Sequence, residues 1–199
     1  MDKNIEKLYN ERTLVLVKPD GVSKKIVGEI ISRFERAGLT LIGLGITQAS
    51  KEKIDGHYPK NPEWIHRLGE KTLATYEKYG IDAGEALGTT DPAAIGKMVR
   101  EWLVDFMVQG PLVKVALRGP HVIDVVRKMA GHTLPFMADA GTIRGDFSTD
   151  SPVFANIEKR AVSNMVHASE TPEEAEHEVA YWFSAEELIN GSFLAEKNK

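Results

Sequence analysis

The order of apolar segments along this 199-residue chain predicts an α+β fold of the ferredoxin-like kind, an antiparallel sheet sandwich with helices packed on one face. Three observations lead there. Four apolar runs read as strands, near residues 13–17, 39–47, 112–117 and 161–166. Amphipathic segments separate them in the order strand, helix, strand, helices, strand, helix, strand, a split β-α-β pattern. Glycines, prolines and capping residues fall where one periodicity gives way to the next.

Thr13-Leu14-Val15-Leu16-Val17 is continuously apolar, as suits a central strand buried on both sides. Lys18-Pro19-Asp20-Gly21 is turn chemistry, since proline keeps Lys18 extended and Gly21 permits a tight reversal. Val27, Ile30, Ile31 and Phe34 make the stripe of a helix that Gly38 terminates. A second strand runs from Leu39 to about Thr47. Ser50 then caps a short helix from Lys51 to about His57, and Tyr58 follows it.

Residues 59–98 form a helical block too long for an ordinary connection. Asn61-Pro62-Glu63 starts one helix, carrying Trp64, Ile65, Leu68, Leu73 and Tyr76. Gly80 ends it, and a Gly- and Thr-rich passage follows. Asp91-Pro92 starts another helix, with Ile95, Met98, Val99, Trp102, Leu103 and Phe106. Leu112 to Leu117 form the third strand, and a helix from His121 to Ala130 is closed by Gly131. Residues 132–163 are loop-rich, Ala161 to Val166 give the last strand, and the final helix buries Ala175, Val179, Trp182 and Phe183. Residues 1–11 and the tail are polar. The chain reads as a single domain, 1–199, with an insertion at about 59–98.

The composition, 42% hydrophobic and 27% charged, is that of a soluble globular protein. No run has the length of a membrane span, and Met1-Asp2-Lys3-Asn4 opens no signal-peptide pattern, so a cytoplasmic protein without membrane contact is expected. The absence of cysteine excludes disulfides and thiolate metal sites. A net charge of −4 argues against a nucleic-acid surface, so any polyanion must meet a local cluster of positive charge.

Such a cluster gathers around Asn164-Met165-Val166-His167-Ala168-Ser169-Glu170. His167 lies between a strand end and a helix opened by Thr171, Pro172 and Glu174, a Thr-x-x-Glu capping box. A helix N-terminus favours an anion, and imidazole is a nucleophile near neutral pH. Alone, the heptapeptide is more simply a histidine satisfying a strand-end hydrogen bond. Lys18 alone is more simply a solvated strand-end lysine, and Arg127 or Arg144 alone a surface ion pair. Their convergence with a Gly-Thr-Ile-Arg-Gly-Asp-Phe loop changes that reading. Glu178 lies three residues after Ala175 and four before Trp182, bordering the buried face of the last helix. A carboxylate there can accept a hydrogen bond from one imidazole nitrogen and fix the tautomer. His57, His66, His121, His132 and His177 have no comparable context and are given no role.

With these residues in view, the sequence resembles nucleoside diphosphate kinases. The likeness rests on ERTLVLVKPDGVSKKIVG at 11–28, RKMAGHTLP at 127–135, GTIRGDF at 141–147 and the stretch from Asn164 to Phe183. It covers most of the chain apart from the tails, the block after Tyr58 and the lengthened passage 148–163. Ala168 and Glu170 stand where many relatives have Gly and Asp. The resemblance implies that His167 is transiently phosphorylated, and that Lys18, Arg127, Thr133 and Arg144 are phosphate ligands. It implies that Lys18 and Asn164 meet the sugar hydroxyl, that Ser169 and Glu178 position the histidine, and that Tyr58 lines the site. Counting back without gaps from Gly110 assigns Val99 to the base-stacking position. The implied activity is ping-pong transfer of the γ-phosphate of a nucleoside triphosphate such as ATP to nucleoside diphosphates, supporting synthesis of GTP, CTP, UTP and deoxynucleotides. Mg²⁺ would bridge the phosphates with no metal site on the protein, and the chain would form a homo-oligomer (hexamer, tetramer or dimer).

Two readings compete. An RNA-recognition module shares the topology, but Leu112 to Leu117 offer no aromatic for stacking and the protein is acidic. A catalytically weak nucleotide-binding scaffold of the same fold is the other.

Overall fold

The computed structural model describes residues 9–189. They run β1 (Arg12–Val17), α1 (Pro19–Ser23), α2 (Val27–Arg36), β2 (Thr40–Thr47), α3 (Lys51–His57), α4 (Pro62–Lys78), α5 (Ala83–Leu87), α6 (Pro92–Val108), β3 (Leu112–Arg118), α7 (Val122–Ala130), α8 (Ile143–Phe147), α9 (Pro152–Ile157), β4 (Val166–Ala168) and α10 (Pro172–Trp182). The polar ends expected at 1–8 and 190–199 lie outside the described residues. Among the described residues no helix is long and apolar enough to cross a membrane.

The strands form one antiparallel sheet in the order β2-β3-β1-β4, the ferredoxin-like arrangement that the sequence predicts. The helices do not keep to one face. Successive side chains leave a strand on opposite sides, and β1 is apolar at every step from Leu14 to Val17. Val15 and Val17 join a cluster with Ile30 and Phe34 of α2 and Val122, Ile123 and Val126 of α7. Leu14 and Leu16 join another, with Ile54 of α3, Val104 and Met107 of α6, and Val179 and Trp182 of α10. Both faces are therefore covered, and a sheet with two apolar faces requires it.

The expected turn at 18–21 is instead the start of helix α1. Pro19 occupies its first position, where a missing N–H costs nothing. Gly21 is buried, and a Cβ on it would sit 3.0 Å from the Met165 carbonyl oxygen, so its role is close approach and not reversal. The last strand is Val166–Ala168 and not 161–166. Met165 has φ +64°, which ends the extended run just before it. That left-handed residue is clamped from α1: its N–H donates to Asp20 Oδ2 at 3.0 Å, and its carbonyl accepts from Lys18 N at 2.8 Å. The loop-rich passage also holds α8, α9 and a 3-10 turn at Pro135–Met137. The Gly- and Thr-rich passage holds α5.

In the block after Tyr58, α4 and α6 pack antiparallel at glycine contacts. Gly69 meets Pro92, and Gly96 meets Ile65; an added Cβ would lie 1.8 and 1.9 Å from the facing carbonyl oxygens. A separate cluster of Tyr76, Ala83, Leu87 and Ile95, with Val99 and Trp102 packed against it, fills the block. Tyr76 Oη donates to the Asn156 carbonyl at 3.0 Å, tying α4 to α9.

Candidate functional site

A cleft of about 590 Å³ opens where β4, the end of β1, α3 and the block meet. His167 lines it from β4, held opposite Leu16 of β1. Its Nε2 lies 2.8 and 2.9 Å from the two oxygens of Glu178, which α10 projects beneath it. Ser169 Oγ donates to the same carboxylate at 2.6 Å and accepts from Leu14 N at 3.3 Å. Burial alone would push the Glu178 carboxyl up. The hydrogen bond and charge of His167, with His57 and Ser169, more than offset this and hold it below the usual range. An ionised Glu178 can only accept, so the network assigns the imidazole proton to Nε2 and leaves the lone pair on Nδ1.

His57, for which sequence reasoning found no role, packs against this pair. Its ring meets His167 edge-on with centroids 4.6 Å apart, and its side chain is 2% exposed. Trp182 Nε1 donates to His57 Nδ1 at 3.3 Å. Burial, and then the charge of His167, push His57 down to about 3, so it is a neutral wall behind the His167 ring. A signal existed: His57 follows the buried Ile54 by three residues in α3, which puts it on the packed face. His57, His167 and Glu178 are also, among the described residues, the group whose donor atoms lie close enough to hold a metal ion, all within 4.8 Å.

Opposite the imidazole lie the cations. Lys18, 6% exposed, donates to Asn164 Oδ1 at 2.8 Å. Arg144, 8% exposed, directs three N–H groups to the carbonyls of Asn164, Gly131 and Val166 at 3.2, 2.7 and 2.8 Å. Among the described residues neither makes an ion pair. Burial, and then the charge of Arg144, lower Lys18 to about 8; burial and Arg127 lower Arg144 to about 10. Two buried cations without a carboxylate partner are costly to maintain and suit a site that receives an anion. Arg127 is more exposed and pairs with Glu170 at 3.0 Å. Thr133 lines the cleft, and its carbonyl accepts from Asn164 Nδ2 at 3.0 Å.

The N-terminus of α10 is partly occupied by its own side chains. Thr171 Oγ1 accepts from Glu174 N at 3.2 Å as a cap, but Glu174 reaches back to Glu170 N, at 2.7 Å. A hydroxyl and a carboxylate hold that end, and the buried side-chain cations line the cleft with His167.

Beside His57, whose ring centroid lies 5.2 Å from that of Tyr58, Tyr58 and Trp64 stack with centroids 6.5 Å apart and planes 27° from parallel. Burial, then Glu178, raise the Tyr58 hydroxyl, so it stays protonated. Trp64 and Leu103 line the cleft; Val99 does not. Val99 faces the block's own core, and Leu103, one turn further along α6, takes the cleft-facing position. Of the residues singled out in the sequence, the cleft thus gathers Lys18, Tyr58, Arg127, Thr133, Arg144, Asn164, His167 and Glu178, with Ser169 one bond behind and Val99 excluded.

Comparison with known proteins points to one family. The family model described as nucleoside diphosphate kinase matches residues 11–65 and 93–188. A nucleoside diphosphate kinase of Pyrobaculum aerophilum is 46% identical over 179 residues, 90% of this chain and 98% of that protein. One of Brevibacillus brevis is 34% identical over 180 residues, 90% and 93%. Among solved structures, an NDP kinase from Pyrobaculum aerophilum superposes with TM-score 0.88 at 45% identity, covering 91% of this chain and all of that one. A transition-state mimic of the Borrelia burgdorferi enzyme with bound vanadate and ADP gives 0.74 at 28% identity, covering 96% and 97%.

Proposed function

We propose that this chain, which belongs to the nucleoside diphosphate kinase family, transfers the γ-phosphate of a nucleoside triphosphate to a nucleoside diphosphate by way of His167. The observation that carries the reading is the pairing of a free imidazole Nδ1 with two buried, unpaired cations in one cleft. Nδ1 attacks the γ-phosphorus; an N–P bond forms, the bond to the β-γ bridging oxygen breaks, and the diphosphate leaves with that oxygen. A second diphosphate then attacks the phosphohistidine through a terminal oxygen, and the N–P bond breaks. Little covalent chemistry is asked of the protein beyond the nucleophile; the rest is charge and position.

Lys18, Arg144, Arg127 and Thr133 take the phosphate oxygens, and Lys18 with Asn164 takes the sugar hydroxyl. Glu178 holds the Nε2 proton and stabilises the imidazolium character that grows during attack, while Ser169 and His57 fix Glu178 and the ring. The base lies between Leu103 and the Trp64 and Tyr58 rings. The vanadate and ADP complex of the Borrelia burgdorferi relative supports phosphoryl transfer on this fold.

Mg²⁺ fits as a passenger of the nucleotide. It is a hard cation that prefers oxygen ligands and keeps its waters, and the imidazole-rich donor group of the cleft is not a cage for it. Carried in with the nucleotide, it would supply positive charge to the phosphates, while Lys18, Arg144 and Arg127 supply the rest from the protein. A homo-oligomer is supported by Leu44 and Ile46, exposed on the edge strand β2, and a cytoplasmic setting by the lack of cysteine.

Incubation with γ-labelled ATP tests the reading. The wild type should yield an acid-labile, base-stable phosphoprotein that ADP or GDP discharges, and His167→Ala should yield none while keeping its fold. Near-normal turnover by His167→Ala would sink the covalent route.

A further inference from the structure

Helix α4 borders the cleft, to which it contributes Trp64 and Lys71. At its first turn Trp64 stacks on Tyr58, and near its far end Tyr76 bonds to the carbonyl of Asn156 in α9. Its position is fixed laterally by the glycine contacts with α6, which leave no room for sliding. Lys71 lies seven residues after Trp64, two turns and roughly 10 Å along the same face. It is also two residues after Gly69, so it projects from the side turned away from α6. Both Trp64 and Lys71 line the cleft.

The charges there leave Lys71 unanswered. Glu170 and Glu174 line the same cleft, but Glu170 pairs with Arg127 and Glu174 accepts from Glu170 N. Among the described residues Lys71 makes no ion pair. It falls in residues 66–92, which the family model leaves unmatched.

We propose that Lys71 is a nucleotide-binding residue, a cation that the inserted segment holds over the cleft to pair with a phosphate oxygen of the bound nucleoside di- or triphosphate. The proposal rests on the cleft being the nucleotide site. With a base against Trp64, a ligand reaching toward His167 carries its phosphates past Lys71, because two helix turns match the separation of base and phosphates. Lys71 reaches phosphate from the solvent side, opposite the buried Lys18 and Arg144. Its contact forms equally in ground and transition states, so it acts on binding and not on the chemical step.

Lys71→Met and Lys71→Arg test this by ADP calorimetry and steady-state transfer. Lys71→Met should raise the Kd of ADP and the KM of ADP and ATP by about fivefold to tenfold, with kcat at saturation unchanged within about twofold. Lys71→Arg should restore both, and the gap between wild type and Lys71→Met should shrink with added KCl. Binding of adenosine, which has no phosphate, should be unaffected. The proposal is overturned if wild type and Lys71→Met give superimposable ADP isotherms, or if adenosine binding weakens as much as ADP binding. Failure of the underlying reading looks different, since the wild type itself would then form no phosphoprotein.

Discussion

Raising the pH should uncharge Lys18 before Arg144. Burial and Arg144 bring this lysine from the usual 10.5 to about 8, whereas Arg144 itself stays near 10. About nine tenths of Lys18 is charged one pH unit below its midpoint and about one tenth one unit above it. The free enzyme should therefore lose kcat/KM for diphosphates above pH 8, approaching tenfold per pH unit. Bound phosphate favours the charged amine, so kcat should hold over the same range. The measurement is steady-state transfer from about pH 6.5 to about 9.5 at constant ionic strength, in wild type and Lys18→Arg. The guanidinium stays charged, so Lys18→Arg should lack the limb, at whatever reduced level it works.

Stability moves the other way. The folded pKa lies below the unfolded one, so between about 8 and 10.5 the unfolded chain binds the extra proton. The contribution of Lys18 to stability therefore rises through that window, by roughly 3 kcal/mol in all. Activity lost at pH 9 without a lowered melting temperature is the expected signature. A flat kcat/KM in wild type, or an identical limb in Lys18→Arg, refutes the assignment.

Glu178→Gln keeps an acceptor but loses the charge facing Nε2, and should slow phosphorylation of His167 by about tenfold to a hundredfold, with Ser169→Ala slowing it less. Rapid-quench kinetics check this, and wild-type rates in both variants would deny the carboxylate any orienting role. Because the base end offers Trp64, Tyr58 and Leu103, apolar surface dominates, and ADP, GDP, CDP and UDP should differ by less than about a hundredfold in kcat/KM. Trp64→Ala should raise all four KM values together. A preference for one base beyond that range would require hydrogen-bond readout and would contradict stacking.

Signals confined to a few neighbouring residues were legible in the sequence. Ser50, Asn61, Asp91 and Thr171 each accept a backbone N–H at the helix starts where they were expected. The Asn-x-x-His-Ala-Ser motif was readable because five of its six residues lie on or beside one short strand. Features that depend on distant partners were not. The left-handed Met165 is set by Asp20, which lies 145 residues earlier, and His57 by Trp182, which lies 125 residues later. Val99 was misplaced because a gapless count cannot sense the inserted core that draws it away and leaves Leu103 facing the cleft. Helices α8 and α9, of 5 and 6 residues, are too short for periodicity to reveal.

The nucleophile sits on the shortest strand of the sheet, three residues bonded only to β1 at an outer edge. The bonds that tie this strand and its flanks to β1 and α1 join opposite ends of the chain: Leu14 to Ser169, Lys18 to Met165, Asp20 to Met165. Helices such as α4 and α6 can form from near neighbours, but β4 must wait for the whole chain to close on itself. Refolding from denaturant should accordingly recover helical circular dichroism first and the capacity to be phosphorylated last. Phosphate uptake then becomes a gauge of completed topology, and its return together with the earliest helical signal would show that edge strand to assemble sooner than its connections imply.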